Sequence, residues 1–293
     1  MATALTVDWT GENVTIGEIE RELARLRDES SVGMSQPNLR TSVMTHIAWV
    51  PPEWQHVAEE TLAGMAERHP SRTLLLVPHP ELEDELDALV SVRCFPFGDR
   101  AICGEVVDLS LRGSRAAAPA SIVLPLLISD LPVFCRWRGR PEWDSPAFQQ
   151  LVGVTDRLVV DSTEWPDVPA DYADLARLFD RVAVSDIAWD RTERWRGLLA
   201  SLWPAVADVK SMRVHGTRAQ AHLLRGWLVS RLGHDVELEL DERERLDGID
   251  LDGRPAPFPP GNPPNASDVL SAQLDHFSRN VVYEAAARAA AGV

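Results

Sequence analysis

Arginines and tryptophans alternate at the end of an apolar run in "LPLLISDLPVFCRWRGRPEW", residues 124–143. In an extended chain, Arg136, Arg138 and Arg140 share one face, because successive side chains point to opposite sides. Guanidinium groups bind phosphate and carboxylate, and Trp and Arg are enriched in protein–protein hot spots. The sequence therefore predicts an anion site or a docking surface formed by Arg136, Trp137, Arg138, Arg140 and Trp143.

Two plainer interpretations of this stretch stay open. The arginines can pair with acidic residues from other segments, or the run can simply be the end of a buried strand. The chain contains ten tryptophans against two tyrosines. Trp54, Trp195 and Trp227 sit on apolar helix faces and are expected to be packed, whereas the tryptophans near proline-rich turns are the expected exposed ones: Trp137, Trp143 and Trp165.

A pair of cysteines flanks a predicted hairpin turn. Gly98-Asp99 separates two β-prone runs, which is typical of a two-residue hairpin turn. Counting outward places Cys94 opposite Cys103 at a non-hydrogen-bonded position, within range of a disulfide. Cytoplasmic thiols are usually reduced, so two small strand residues are the favoured interpretation and a redox switch the weaker one. No Cys or His spacing indicates a metal site.

Catalytic motifs are not found in the sequence. It contains no glycine-rich dinucleotide fingerprint, P-loop, zinc-protease motif or nucleophile elbow. His46 lies in a strand pattern, as an interior histidine would. Asp161 and Asp186 follow apolar strands, where the active sites of α/β proteins collect, but aspartate at a strand exit is also a common turn former. We therefore expect no enzyme activity and no cofactor.

Composition narrows the class of protein. The 293 residues are 45% hydrophobic, enough for a sizeable core, and carry a formal net charge of −16. Such an acidic surface repels phosphate backbones, so nucleic-acid binding is not expected. The N-terminus lacks the pattern of a secretory signal, and the longest apolar stretch, 116–128, is too short to span a bilayer. We expect a cytoplasmic protein without a membrane partner.

The periodicity of apolar residues predicts an α/β fold. Thr15 and Glu18 form a capping box ahead of an amphipathic helix, and residues 41–50 and 72–78 read as strands joined by a helix, a βαβ unit. The same alternation returns after residue 165. The prediction is two α/β lobes with mostly parallel or mixed sheets flanked by helices: an N-terminal domain, 1–165, with the leading amphipathic helix, and a C-terminal domain, 166–293.

An ordered set of segments resembles a known family. The segments are "RTSVMTHIAWVPPEW", "ERHPSRTLLLVP", "SIVLPLLISDLPVFCRWRGRP", "DRLVVDSTEW", "DIAWDRTERWRGLLA", "LLRGWLVSRLG" and "NVVYEAAARA". Together, from about residue 40 to the end, they are similar to the OpcA family, the glucose-6-phosphate dehydrogenase assembly proteins. The resemblance implies a non-catalytic partner that promotes assembly of the dehydrogenase or activates it allosterically, within the pentose phosphate pathway of carbohydrate metabolism. It carries no active-site residues over to this chain.

Two functional hypotheses follow. The first is an assembly factor and allosteric activator that binds glucose-6-phosphate dehydrogenase. The second is a sugar-phosphate-binding enzyme or sensor that uses the arginine stripe as an anion clamp. Redox control is a theme among photosynthetic members of the family, but their cysteines cannot be matched to Cys94 and Cys103.

Overall fold

The computed structural model of the chain describes residues 5–34, 38–39, 42–63, 70–97, 100–261, 266–274 and 278–292. The chain divides into two compact units, Met1–Leu158 and Val159–Val293. The domain boundary after residue 165 stays a prediction.

The first unit alternates strands and helices as the sequence indicates. Its elements are β1 (Leu5–Gly11), α1 (Ile16–Met34), β2 (Asn38–Leu39), β3 (Thr45–Trp49), α2 (Gln55–Ala63), β4 (Arg72–His79), β5 (Leu86–Phe97), β6 (Arg100–Arg112), α3 (Pro119–Leu126), β7 (Val133–Trp137) and α4 (Pro146–Gly153).

These strands form one mixed sheet in the order β1-β5-β6-β4-β3-β7, with β2 beside β6. Strand β3 pairs in parallel with β4 on one side and with β7 on the other. Strand β5 runs antiparallel to β1 and to β6. The predicted α/β class with a mixed sheet is confirmed.

The centre of this sheet is the predicted βαβ unit. All five residues of β3 are buried, as expected for a parallel strand covered on both faces. Ala48, Val50, Leu75 and Val77 pack with Ala58 of α2 in one cluster. Pro51 and Pro52 end β3 and lead into the helix, since their fixed φ suits its first turn.

The N-terminal helix begins as predicted. The Thr15 N–H donates to Glu18 Oε2 at 2.8 Å, and the Glu18 N–H donates to Thr15 Oγ1 at 3.3 Å, which completes a capping box. Ile19, Leu23 and Leu26 are buried. Strand β1 was not predicted, although its residues alternate between exposed and half-buried in the structure.

The hairpin has the predicted register. Cys94 is the partner of Cys103 and Phe97 the partner of Arg100, while the turn residues Gly98 and Asp99 lie outside the described residues. The Cα atoms of the two cysteines are 4.1 Å apart and their sulfur atoms are bonded. The favoured interpretation, two reduced cysteines on neighbouring strands, is therefore wrong for this structure. The short distance between their Cα atoms brings the two sulfur atoms together. Cys135 is free and buried.

The second unit begins within β8 (Arg157–Val160) and repeats the alternation. It contains α5 (Val168–Ala176), β9 (Ala183–Asp186), α6 (Ile187–Asp190), α7 (Glu193–Ser201), β10 (Ser211–Gly216), α8 (Arg218–Leu232), β11 (Glu237–Glu242), β12 (Gly248–Leu251), β13 (Arg254–Pro255), α9 (Ala266–Leu274) and α10 (Val281–Ala291).

A four-stranded sheet in the order β11-β10-β12-β13 forms part of this unit. Helix α8 begins at a capping box formed by Thr217 and Gln220 and is followed by Gly233, whose φ of 73° is left-handed. Strands β12 and β13 were not predicted, and β13 lies in a proline-rich segment of the sequence, residues 253–265. Arg254 and Pro255 are exposed, and proline is tolerated at a strand edge. None of the described helices has the length and apolar character needed to cross a membrane.

We expect the Cys94–Cys103 bond to stabilise the first unit. The bond joins residues 9 apart in the sequence, and closing a loop of that length in the unfolded chain contributes on the order of 2–3 kcal/mol. Urea unfolding of the oxidised protein with and without reductant should show this loss, and peptide mass spectrometry should identify the linked pair.

The matched control is the double variant Cys94→Ser and Cys103→Ser. It should unfold like the reduced wild type and show no response to reductant. A wild type that responds to reductant no more than this variant, or that yields no linked peptide after mild oxidation, contradicts the bond and with it any redox role for the pair.

Candidate functional site

The candidate site lies where three parallel strands end. β3, β4 and β7 present their carboxyl ends at one edge of the sheet, because they run in the same direction. The chain passes from β3 to β4 on one side of β3, and β7 lies on the other side. The strand order therefore reverses at β3, and ligands of open α/β sheets bind outside such a reversal point.

A cavity of about 560 Å³ opens at this edge. We call it the tryptophan crevice and define it by residues that all belong to the first unit: Trp49, Pro51, Glu53, Trp54, Pro78, Pro80, Ala116, Ala117, Trp137, Arg138, Gly139, Arg140, Glu142, Ser145, Pro146 and Ala147. Its volume falls within the range of small-molecule sites.

Aromatic packing builds one wall of the crevice. Trp49 and Trp137 are register partners on β3 and β7, and their rings stack with centroids 4.8 Å apart. Phe148 of α4 meets the Trp137 ring edge-on at 5.0 Å and the Trp143 ring at 5.6 Å. Such contacts stabilise aromatic pairs beyond their buried area, so this wall is held rigidly.

Two arginines reach the crevice from the end of β7. The Arg138 N–H donates to the Trp49 carbonyl at 2.9 Å, which extends the strand pairing by one residue. The guanidinium of Arg138 lies 4.6 Å from the centre of the Trp54 ring, a cation–π contact. Gly139 has a φ of 76° and turns the chain, and the exposed Arg140 follows. Arg138 and Arg140 are thus the predicted residues that the structure places in an accessible site.

Arg136 does not belong to this site. It is only 5% exposed, and its guanidinium donates to the Trp137 carbonyl. Because β7 is buried on both faces and ends at Trp137, the expected stripe of three arginines on one face is wrong. The extended conformation assumed for residues 136–140 is interrupted, because Gly139 turns the chain.

The tryptophans expected to be exposed are buried. Trp137, Trp143 and Trp165 are each 5% exposed, since the first two pack against Phe148 and the third against Tyr172. Trp137 still lines the crevice. A direct partner contact through Trp143 is therefore not supported.

The N-terminal end of α4 completes the crevice. Ser145 caps the helix by accepting the Phe148 N–H at 3.3 Å, and Pro146 occupies its first turn. The Gln149 side chain donates to the Trp143 carbonyl at 2.6 Å and fixes the turn that precedes the helix. Because Pro146 has no N–H and the Phe148 N–H donates to the Ser145 hydroxyl, neither residue offers a backbone donor to an anion at this helix end.

The second unit contains a sealed polar cluster around Asp186. The N–H groups of Ser162 and Ala188 donate to its Oδ1, and the hydroxyls of Ser162 and Tyr283 donate to its Oδ2 at 2.6 and 3.3 Å. Burial, together with the charge of Asp161, raises the pKa of Asp186 to about 6. Asp186, Ser162 and Tyr283 are fully buried, so the cluster has a structural role and no access for a substrate.

Asp161 forms a turn at the end of its strand, which is one of the two roles that the sequence allowed. Its Oδ1 accepts hydrogen bonds from the N–H and the hydroxyl of Thr163, and its Oδ2 accepts a hydrogen bond from Arg191 at 3.0 Å.

His215 on β10 lies between Asp241 and Asp250, and the hydrogen bond to Asp241 raises the pKa of the imidazole. No group of His, Cys, Asp and Glu that could hold a metal ion occurs in the described part of the chain.

The sequence did not reveal the aromatic residues that the second unit exposes. Trp203, after α7, is 66% exposed, and Phe258 is 65% exposed although its ring contacts Trp195. Arg194 of α7 donates to the carbonyl groups of Pro259 and Pro260, which holds the proline-rich loop beside the helix. Helix α7 ends at Ser201, before Trp203, and Pro204 cannot continue a helix, so the position of Trp203 in a turn was the available signal.

Comparison with known proteins gives two concordant family matches that follow one another along the chain. Residues 63–177 match a family model described as the glucose-6-phosphate dehydrogenase subunit N-terminal domain, and residues 182–257 match the corresponding C-terminal domain. Similar proteins named as OxPP cycle protein OpcA occur in Synechocystis sp. (28% identical over 181 residues) and Synechococcus elongatus (30% over 184 residues). These alignments cover 57% and 58% of this chain but 38% and 41% of the relatives, so the chain matches about two fifths of their length.

We expect Asp186 to make folding stability depend on pH. Its pKa of about 6 in the folded protein exceeds the ordinary value of 3.8. Between these values the unfolded chain has released the proton and the folded chain has not, so this group's contribution to stability falls as the pH rises from 4 to 6. Asp186→Asn removes the titration, and its stability relative to wild type should rise by about 2 kcal/mol between pH 4 and 7.

Urea unfolding at each pH measures this difference. Asp208→Asn, at an exposed position in the same unit, is the matched control and should run parallel to wild type. Parallel profiles for Asp186→Asn and wild type would show that the buried carboxyl does not titrate in this range.

Proposed function

We propose, from the premise that the chain belongs to the OpcA family of glucose-6-phosphate dehydrogenase subunit proteins, that it is a non-catalytic partner of that dehydrogenase. It binds the enzyme, promotes its assembly or activates it, and so supports the oxidative pentose phosphate pathway in the cytoplasm. The observation that carries this proposal is the match of residues 63–177 and of residues 182–257 to the two domain models of one dehydrogenase subunit family.

The geometry favours a binding protein. The Ser162–Asp186 cluster has the residue types of acid–base chemistry, but it is sealed from solvent. The buried Cys135 has its pKa raised to about 12 by desolvation, which suppresses the reactive thiolate. The accessible features are the tryptophan crevice and the exposed aromatic residues of the second unit.

Trp203 has the properties of an interface anchor. Its indole is 66% exposed, and large aromatic side chains dominate the energetics of protein–protein interfaces when a partner covers them. An activator of this kind must bind the active form of the dehydrogenase more tightly than the inactive form, because only differential affinity shifts a conformational equilibrium.

A second candidate function, a sugar-phosphate-binding enzyme or sensor, is favoured by one observation. Arg138 and Arg140 lie together in a crevice at the reversal point of a parallel sheet.

We expect this chain to form a complex with the glucose-6-phosphate dehydrogenase of the same organism. Gel filtration should show both proteins in one peak. Addition of the chain should lower the apparent KM for glucose 6-phosphate or increase the tetrameric fraction of the enzyme, because binding stabilises the active state. An unrelated acidic protein at equal concentration should do neither. Absence of a complex, together with unchanged kinetics and unchanged assembly, would contradict the proposal.

The contribution of Trp203 is tested in the same assay. Trp203→Ala should weaken the complex on the order of tenfold or more if the indole is an anchor. Leu124→Ala is the control, since Leu124 is also exposed but belongs to α3 of the first unit. Equal affinities for Trp203→Ala and wild type would show that the dehydrogenase docks elsewhere.

A further inference from the structure

We propose that His215 is held as a doubly protonated imidazolium between Asp241 and Asp250, and that this contact holds the connection between β11 and β12 on the sheet until rising pH releases it. We call these three residues the histidine bridge. The bridge lies within the second unit. The inference goes beyond the proposed function, because it does not depend on a dehydrogenase partner.

Both ring nitrogens of His215 face a carboxylate. Nδ1 lies 2.7 Å from Asp241 Oδ2, and Nε2 lies 3.3 Å from Asp250 Oδ2. Ionised carboxylates only accept hydrogen bonds, whereas a neutral imidazole carries a proton on just one nitrogen. The neutral ring would therefore turn an unprotonated nitrogen toward one of the two carboxylates. Only the imidazolium donates to both.

The strand register places the ring between these carboxylates. His215 is the register partner of Asp241 on the parallel strand β11 and of Gly248 on the antiparallel strand β12. Asp250 follows Gly248 by two residues, so its side chain lies on the same face of the sheet. An added Cβ at Gly248 would lie 2.8 Å from His215 Cδ2. The glycine thus leaves the space that the ring occupies.

The other charged groups on this face pair with one another. Arg213, two residues before the histidine on β10, donates to Glu239 of β11 at 2.8 Å. Arg243, just after β11, donates to Asp241 Oδ2 at 2.8 Å and lies 3.5 Å from Asp247 Oδ2. Both guanidinium groups near the ring are therefore balanced by carboxylates, and the surroundings of the ring favour a positive charge on it.

The bridge exists over a defined range of pH. The hydrogen bond to Asp241, and to a lesser degree that to Asp250, raises the pKa of His215 above its ordinary value of 6.5. Its contribution to stability is therefore complete below pH 6.5 and is lost as the pH rises through the raised pKa. On the acid side, hydrogen bonds from Arg243 and then from His215 lower the pKa of Asp241 below 3.8, which keeps this carboxylate ionised.

The bridge stabilises the connection formed by residues 243–247. The Arg243 N–H donates to the Gly216 carbonyl and the Asp247 N–H donates to the His215 carbonyl, both at 2.9 Å. Both ends of the connection are thus bonded to the last two residues of β10. The histidine bridge joins the strands that enter and leave this connection, so losing it should allow the connection to open more often.

An NMR titration of the imidazole in the full chain tests the protonation, and His215→Gln identifies the resonance. The midpoint of His215 should lie above 6.5. Asp241→Asn and Asp250→Asn should each lower it, because each removes one acceptor of the imidazolium. Glu237→Gln is the control: Glu237 is exposed on β11 and pairs with Ser211, about 13 Å along the strand from Asp241, so the midpoint should not change. A wild-type midpoint at or below 6.5, or a midpoint that neither Asp variant lowers, overturns the proposal.

Hydrogen exchange of the Asp247 amide tests the effect on the connection. At pH 6 this amide should exchange on the order of tenfold faster in His215→Gln than in wild type, the effect of losing a charge-assisted contact. At a pH well above the measured midpoint the two proteins should exchange alike. The Asp252 amide, which donates to the Ser211 carbonyl at the other end of β10, is the internal control and should not differ.

Two results of the exchange experiment contradict the proposal. Equal exchange in wild type and His215→Gln at pH 6 would show that the bridge does not hold the connection. A difference of the same size at both pH values would show that the ring stabilises the connection by packing alone, independent of its charge.

Discussion

The pairing of β3 with a strand on each of its sides determines where the accessible chemistry of the first unit lies. β3 is buried along its whole length and hydrogen-bonded to β4 and β7. In this register Trp49 faces Trp137, which is why their rings stack, and Arg138 follows at the point where the strand pairing ends. A slip of one residue would turn every side chain of β7 to the opposite face and separate the two rings. The crevice is thus a consequence of strand register.

A different constraint organises the second unit. Asp186 is a carboxyl group without solvent contact, and burying it is tolerated because two backbone N–H groups and two hydroxyls donate to it. Tyr283 of α10 supplies one of these donors, so α10 must lie close to the cluster. The same helix packs on α8 at Gly226, where an added Cβ would lie 2.1 Å from the Ala286 carbonyl oxygen. Only glycine allows this approach.

Local interactions made parts of this architecture predictable. The Thr15 and Thr217 capping boxes, the Ser145 cap and the Cys94–Cys103 register depend on residues close in the chain, and the structure contains all four. Strand β1 was not predicted because its described pairing is with β5, which is distant in the sequence. Strand β12 was not predicted although it pairs with the adjacent β13 as well as with the distant β10. The burial of Arg136 and Trp143 could not be predicted either. The alternation of side chains along a strand shows which residues share a face, but not whether another element covers that face.

The exposed Trp203 and the arginine-lined crevice belong to different units, so one variant need not disturb both. If both candidate functions hold, a ligand in the crevice can influence the dehydrogenase only through a difference in its affinity for the bound and unbound chain. Linkage then requires the dehydrogenase to change the affinity for the ligand by the same factor. A ligand with equal affinity for both forms would change nothing, however tightly it bound. Regulation of the complex by an anionic sugar therefore requires that the measured affinity for that sugar differ between the isolated chain and the complex.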